Sequence, residues 1–222
     1  MGGSRSLAAR ETQRVIPAGA VLLRGARVSV GPFAIDRVPV THRDYWDFTA
    51  ARGVSPPAPA PEAGIDPDLA RAHAFDGRTP PARYLAHPMV ALTHADAQAF
   101  CAWRGMRLPT EAEWTRAVYG DDDRPFPWGA TADPSRVNSS EFGAGDTVAV
   151  LTHPRGAGPF DVADGAGQVR EWTATREGDA VALVGSSWRE PLRPRGERPR
   201  PLVPAHARSL TLGFRCVRDV SP

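Results

Sequence analysis

The chain has 222 residues and a mass of 23.8 kDa, and with 41% hydrophobic residues it can bury the core of one large domain. Its 27 Lys+Arg against 25 Asp+Glu leave a formal charge of +2, too even a balance to argue for nucleic acid or an anionic membrane as partner. No segment has the apolar length of a signal peptide or a membrane span, and two cysteines are too few for a zinc knuckle or a disulfide framework, so the sequence points to a soluble cytoplasmic protein.

In chain order, residues 1–13 read as a tail ahead of a single domain over 14–219. Residues 15–25 read as a strand interrupted at Pro17, 27–30 alternate polar and apolar side chains, and 33–38 are again strand-like. Thr41 stands where it can cap a helix that carries Tyr45 and Phe48 on one face and stops at Gly53. Residues 54–87, rich in Pro and Ala and without sustained periodicity, predict a long irregular loop. The clearest helix follows, with Thr93 and Asp96 in capping-box spacing, Phe100 and Cys101 on the inner stripe and Gly105 as its stop; Cys101 reads as a core residue rather than a nucleophile. The run M-R-L-P-T-E-A-E-W repeats the device with Thr110 and Glu113, which leaves Glu111 to pair with Arg107. Beyond Gly120 only short strands are expected, over 148–151, 169–173, 180–184 and 212–217. Helices early and short strands late predict an α+β domain. The one electrostatic anomaly is the crowding of Arg189, Arg193, Arg195, Arg198 and Arg200 into a proline-rich segment near the C-terminus.

Eight motifs occur in a telling order: I-P-A-G from Ile16, P-F-A-I-D-R-V-P-V-T-H-R-D-Y from Pro32, H-P-M-V-A-L-T-H-A-D-A-Q-A-F-C-A-W from His87, R-L-P-T-E-A-E-W from Arg107, P-W-G from Pro127, the run 161–172, G-S-S-W from Gly185 and G-F-R from Gly213. Together they resemble the formylglycine-generating enzyme family, also called the sulfatase-modifying-factor family, over nearly the whole chain. The resemblance implies a C-type-lectin-like variant of the α+β class, irregular and poor in regular sheet, with calcium as internal cement.

The family's oxidases carry two copper(I)-binding cysteines just after the G-G-S-W/Y motif, where soft thiolates select that ion. Here residues 184–201 hold no cysteine, so neither copper nor formylglycine generation is expected, and no catalytic residue is assigned. Cys101 and Cys216 match positions that are similar to a structural disulfide pair in secreted relatives; in a cytoplasmic protein they would be two apposed core thiols. The six histidines lack i,i+4 or H-x-H spacing, and the helical domain that supplies the iron ligands of the related sulfoxide synthases is not expected ahead of residue 14.

D-G-A-G-Q-V-R-E-W resembles the family's calcium motif, which implies Asp164 and Glu171 as carboxylate ligands and Gly167 and Val169 as carbonyl ligands of a structural calcium ion. Gln168 and Arg170 depart from the usual asparagine and tryptophan, and Arg170 beside a cation requires solvent or an acidic partner. The residues equally allow Asp164 to cap a turn and Glu171 to pair with an arginine. Trp188, Arg189, Arg193, Arg195 and Arg198 fall where the family keeps its active-site or ligand surface. They are the candidate ligand-binding residues for a carboxylate, a phosphate or an acidic protein surface, with a solvated run of charge as the alternative. The leading expectation is a non-catalytic binding or scaffold member that recognises a protein or anionic small molecule. The alternatives are a metal-dependent oxidase or other peptide- or metabolite-modifying enzyme on the same surface, and a ligand-binding protein diversified in the segment before G-F-R.

Overall fold

Regular strands are short in this computed structural model, which describes residues 12–220 except 57, 60, 61 and 63, so that most of the expected tail lies outside the described residues. Strand β1 (Gln13–Ile16) pairs antiparallel with β4 (Phe33–Asp36), and β9 (Val217–Asp219) pairs with the other edge of β4, so segments from the two ends of the chain share one sheet. Between β1 and β4, β2 (Gly19–Leu23) and β3 (Ala26–Val30) form a separate hairpin. Its turn residues Arg24 and Gly25 both have positive φ, 51° and 80°, the two-residue geometry whose twist matches that of the flanking strands. The third sheet has the order β7-β6-β5-β8, from β5 (Arg170–Glu177), β6 (Ala180–Val184), β7 (Leu202–Pro204) and β8 (Leu212–Gly213).

Three α-helices among the described residues start on the same local device. Helices α1 (His42–Arg52), α3 (His94–Trp103) and α4 (Glu111–Tyr119) are capped by Thr41, Thr93 and Thr110, whose hydroxyls accept from the backbone N–H three residues on, while Asp44, Asp96 and Glu113 accept from the cap N–H in return. Helix α2 (Pro67–His73) corrects the expectation of an irregular loop over 54–87: Asp66 caps it and Pro67 occupies the first turn, but seven residues are too short for a periodic pattern to show. The strand expected at 148–151 does not form. Leu151 has φ 64° and the segment turns there.

Among the described residues three apolar clusters hold these elements together, two of them large. Tyr45, Phe48, Phe100, Trp172 and Phe214 surround Cys101 and Cys216, which are fully buried and joined by a disulfide with a Cα–Cα distance of 5.6 Å. The apposed thiols expected of a cytoplasmic protein are therefore a covalent bond in this structure. The second cluster packs Trp114, Val118 and Tyr119 of α4 against Val21 and Val30 of the hairpin, Phe33 and Ile35 of β4, and Val184 of β6. Helix α4 thus sits between the hairpin and the third sheet, and both of its ends meet the arginine segment. No helix among the described residues is long and apolar enough to cross a membrane.

Candidate functional site

A cleft of about 400 Å³ runs along α4, from Glu111 in its first turn to Tyr119 at its end, between the tip of the β2–β3 hairpin and residues 195–200. Its apolar lining comes from Leu22, Leu23, Trp114, Leu183 and Val184, and its charged lining from Arg24, Glu111, Arg195, Arg198 and Arg200. Prolines 194, 199 and 201 frame the arginines, and a short 3₁₀ turn, Arg195–Glu197, lifts them toward the helix. The guanidiniums of Arg195 and Arg198 lie 5.3 and 5.6 Å from the centroid of the Tyr119 ring, within cation–π range. Arg198 Nη1 also donates to the Tyr119 hydroxyl, and its Nε donates to the Arg193 carbonyl at 2.8 Å. Burial pushes the Tyr119 hydroxyl above its usual range, against the opposing pull of the two arginines, so the ring stays neutral at physiological pH.

Carboxylates compensate most of this charge. Arg195 Nη2 lies 3.2 Å from Asp123, Arg200 Nε donates to both oxygens of Glu111 at 2.8 and 2.9 Å, and Arg200 and Arg24 meet at Glu177, at 2.9 and 2.8 Å. Glu111 therefore pairs with Arg200 and not with Arg107, as its sequence neighbourhood suggests. Arg107 instead forks onto Glu113, at 2.6 and 2.8 Å, so Glu113 caps the helix and carries an ion pair at once. Arg195 Nη1, Arg198 Nη2 and Arg200 Nη2 are buried N–H groups without a hydrogen-bond partner among the described residues. A buried donor left in that state typically costs about 1–3 kcal/mol.

The five expected ligand residues divide. Arg195 and Arg198 meet over Tyr119, whereas Trp188 is buried beside Ile65, Val169 and Leu210, with its ring N–H on the Leu210 carbonyl at 3.3 Å. Arg189 reaches the Gly64 carbonyl at 3.0 Å, and Arg193 is exposed and contributes its carbonyl to Arg198. Arg24, Arg200, Glu111, Trp114 and Tyr119 complete the cleft and were not anticipated there. Arg200 belongs to the visible arginine run, but nothing local in the sequence brings the hairpin tip or the end of α4 to it.

The residues expected to hold calcium are placed as follows. Glu171 is fully buried, and its oxygens accept from Arg215 Nη2 and Nε, both at 2.7 Å, and from Trp114 Nε1 at 2.8 Å. Asp164, with φ 57°, accepts from the Leu151 N–H at 2.9 Å, and burial pushes its carboxyl above the usual range. The Gly167 N–H donates to the Ser186 hydroxyl at 2.9 Å, and Val169 lies in the apolar cluster with Trp188. As arranged, this donor set fits a buried ion pair and a capped turn rather than a calcium shell, because the Arg215 guanidinium already supplies the positive charge at Glu171. Arg170 finds the acidic partner its position requires in Glu190, with Nε at 2.8 Å from the carboxylate.

Over residues 2–220 the chain matches the family described as Sulfatase-modifying factor enzyme 1-like domain. The chain belongs to this family. It is 32% identical over 200 residues to the inactive C-alpha-formylglycine-generating enzyme 2 of Mus musculus, an alignment covering 72% of this chain and 65% of the relative. It is also 32% identical over 167 residues to hercynine oxygenase of Mycolicibacterium smegmatis, covering 67% of this chain and 38% of that protein. The chain thus spans somewhat less than two thirds of the first and well under half of the second. Among solved structures, PvdO from Pseudomonas aeruginosa superposes with a TM-score of 0.73 at 22% identity, covering 94% of both chains, and shares the fold. In this family member itself, residues 184–201 of the chain hold no cysteine, and its two cysteines, elsewhere in the chain, are tied to each other.

Proposed function

We propose that this chain is a non-catalytic member of the family, and that it recognises an anionic ligand in the arginine cleft along α4. The observation that carries the proposal is the set of three buried, partnerless guanidinium N–H groups, on Arg195, Arg198 and Arg200, in one cleft. Donors in that state are suited to donate to carboxylate, sulfate or phosphate oxygens, and planar guanidiniums stacked on an aromatic ring lose little further entropy on binding. Similarity to an inactive formylglycine-generating enzyme supports the absence of an oxidase reaction.

The test is a titration of the purified protein with acetate, sulfate and phosphate, followed by amide and Arg side-chain NMR shifts, for the native chain and for Arg195→Ala with Arg198→Ala. The native protein should show saturable shifts at residues 195–200, and the double variant should lose them by at least tenfold in affinity. Equal binding by the two proteins would sink the proposal. Similarity to hercynine oxygenase supports a second reading, a metal-dependent oxidase. Stoichiometric iron or copper in the purified protein would put that reading first.

A further inference from the structure

The cleft carries more information than a positive charge. Of the four guanidiniums that line it, three already face carboxylates: Arg195 faces Asp123, Arg200 faces Glu111 and Glu177, and Arg24 faces Glu177. Arg27 also leans on Asp123 at 3.9 Å, but it is exposed and stands outside the cleft. Arg198 forms no ion pair among the described residues. Its Nε and Nη1 are fixed by the Arg193 carbonyl and the Tyr119 hydroxyl, and its buried Nη2 has no hydrogen-bond partner among the described residues. Among the described residues, one uncompensated cation lines the cleft.

The opposite walls are apolar. Leu22 and Leu23 come from the hairpin tip, Leu183 and Val184 from the end of β6, and the Trp114 ring lies among them. A volume of about 400 Å³ falls within the roughly 300–1,000 Å³ range of small-molecule pockets. A doubly charged head such as phosphate would bring one negative charge that the lining does not neutralise, in a place where desolvation makes that costly. A bare inorganic anion would leave the apolar walls against water.

We propose that the cleft selects a small amphipathic acid, with one singly charged head held by Arg198 and an apolar alkyl or aryl body against Leu22, Leu183, Val184 and Trp114. This rests on the reading of the cleft as an anion site and narrows it to a ligand class.

Isothermal titration of the full chain with 4-phenylbutyrate, with its neutral analogue 4-phenylbutanol and with inorganic phosphate separates the two claims. Phenylbutyrate should bind at least tenfold more tightly than either of the others. Arg198→Ala should weaken phenylbutyrate at least tenfold, with the melting midpoint recording whether the variant is folded. Leu22→Ala gives an independent arm: it should weaken phenylbutyrate and leave phosphate unchanged. Phosphate binding as tightly as phenylbutyrate, or phenylbutanol binding as tightly, would overturn the amphipathic-acid class. In the phosphate case the anion site itself survives. No heat from any of the three probes would overturn both, and an unchanged affinity in a folded Arg198→Ala variant would remove Arg198 as the anchor.

Discussion

Arg215 has no exposed surface, yet all five of its guanidinium N–H groups are engaged: three on the carbonyls of Asp36, Arg37 and Ala163 at 3.0–3.2 Å, two on Glu171 at 2.7 Å. The residue ties β4, the turn before β5, and β5 itself to the G-F-R segment. Removing one partner of such a pair leaves a buried charge without compensation, so Glu171→Ala should cost about 3–5 kcal/mol in a urea unfolding experiment. Because the ion pair stands where calcium was expected, addition of calcium or of a chelator should leave the unfolding midpoint unmoved. A drop on chelation would return Asp164 and Glu171 to a metal. At this scale the sequence was legible in kind and not in partner. Asp164 and Glu171 were readable either as calcium ligands of one motif or as a turn cap and the partner of an arginine, but which arginine was not, because Arg215 lies 44 residues from Glu171.

Helices α1 and α2 meet in a cluster of histidines. His42 at the start of α1 is fully buried, 5.5 Å from the ring of His73 at the end of α2, and it stacks near Phe75 and Tyr84. His73 Nε2 lies 2.8 Å from Asp146, and the Tyr84 hydroxyl donates to the other oxygen at 2.6 Å, so one carboxylate docks the whole 67–84 region onto the body. Burial, and secondarily the neighbouring His73, hold the His42 imidazole down at about 4, and burial also lowers His87, while Arg83 faces the cluster from the side of Tyr84. An unfolded chain takes up the His42 proton near pH 6.5 and the folded chain only near 4. Stability is therefore lost as pH falls through that window, by about 2 kcal/mol between pH 7 and pH 5 for this residue alone. Urea midpoints at the two pH values should show the loss in the native chain and a smaller loss in His42→Phe; equal losses would assign it to other groups. The capped helices were readable because a capping box spans only four residues. Helix α2 was not, since seven residues carry no periodic signal and its docking partner, Asp146, is 73 residues from His73.

Across the whole molecule, the Cys101–Cys216 bond closes a separation of 115 residues and links α3 to the strand that finishes the first sheet. The loop-closure entropy it removes from the unfolded chain is worth about 4–5 kcal/mol. Cys101→Ser with Cys216→Ser, or reduction, should lower the melting midpoint by on the order of 10 °C. An unchanged midpoint would show that packing alone holds these elements. Disulfides persist in oxidising compartments, so in the cytoplasm expected from the sequence the protein would lack this contribution.

The sequence by itself determined the family, the α+β class, the three Thr-capped helices and the missing cysteines after G-S-S-W, because each is written in residues close together or in a motif order that needs no geometry. Only the tertiary structure decided which carboxylate each arginine meets. Arg200 finds Glu111 across 89 residues, Arg195 finds Asp123 across 72, and Arg198 meets Tyr119 and no carboxylate among the described residues. An ion pair is chosen by distance in space and by burial, neither of which the spacing of charges along a chain encodes. The arginine run was visible from the start; that Arg198 lines the cleft without a counter-charge among the described residues is a property of the fold.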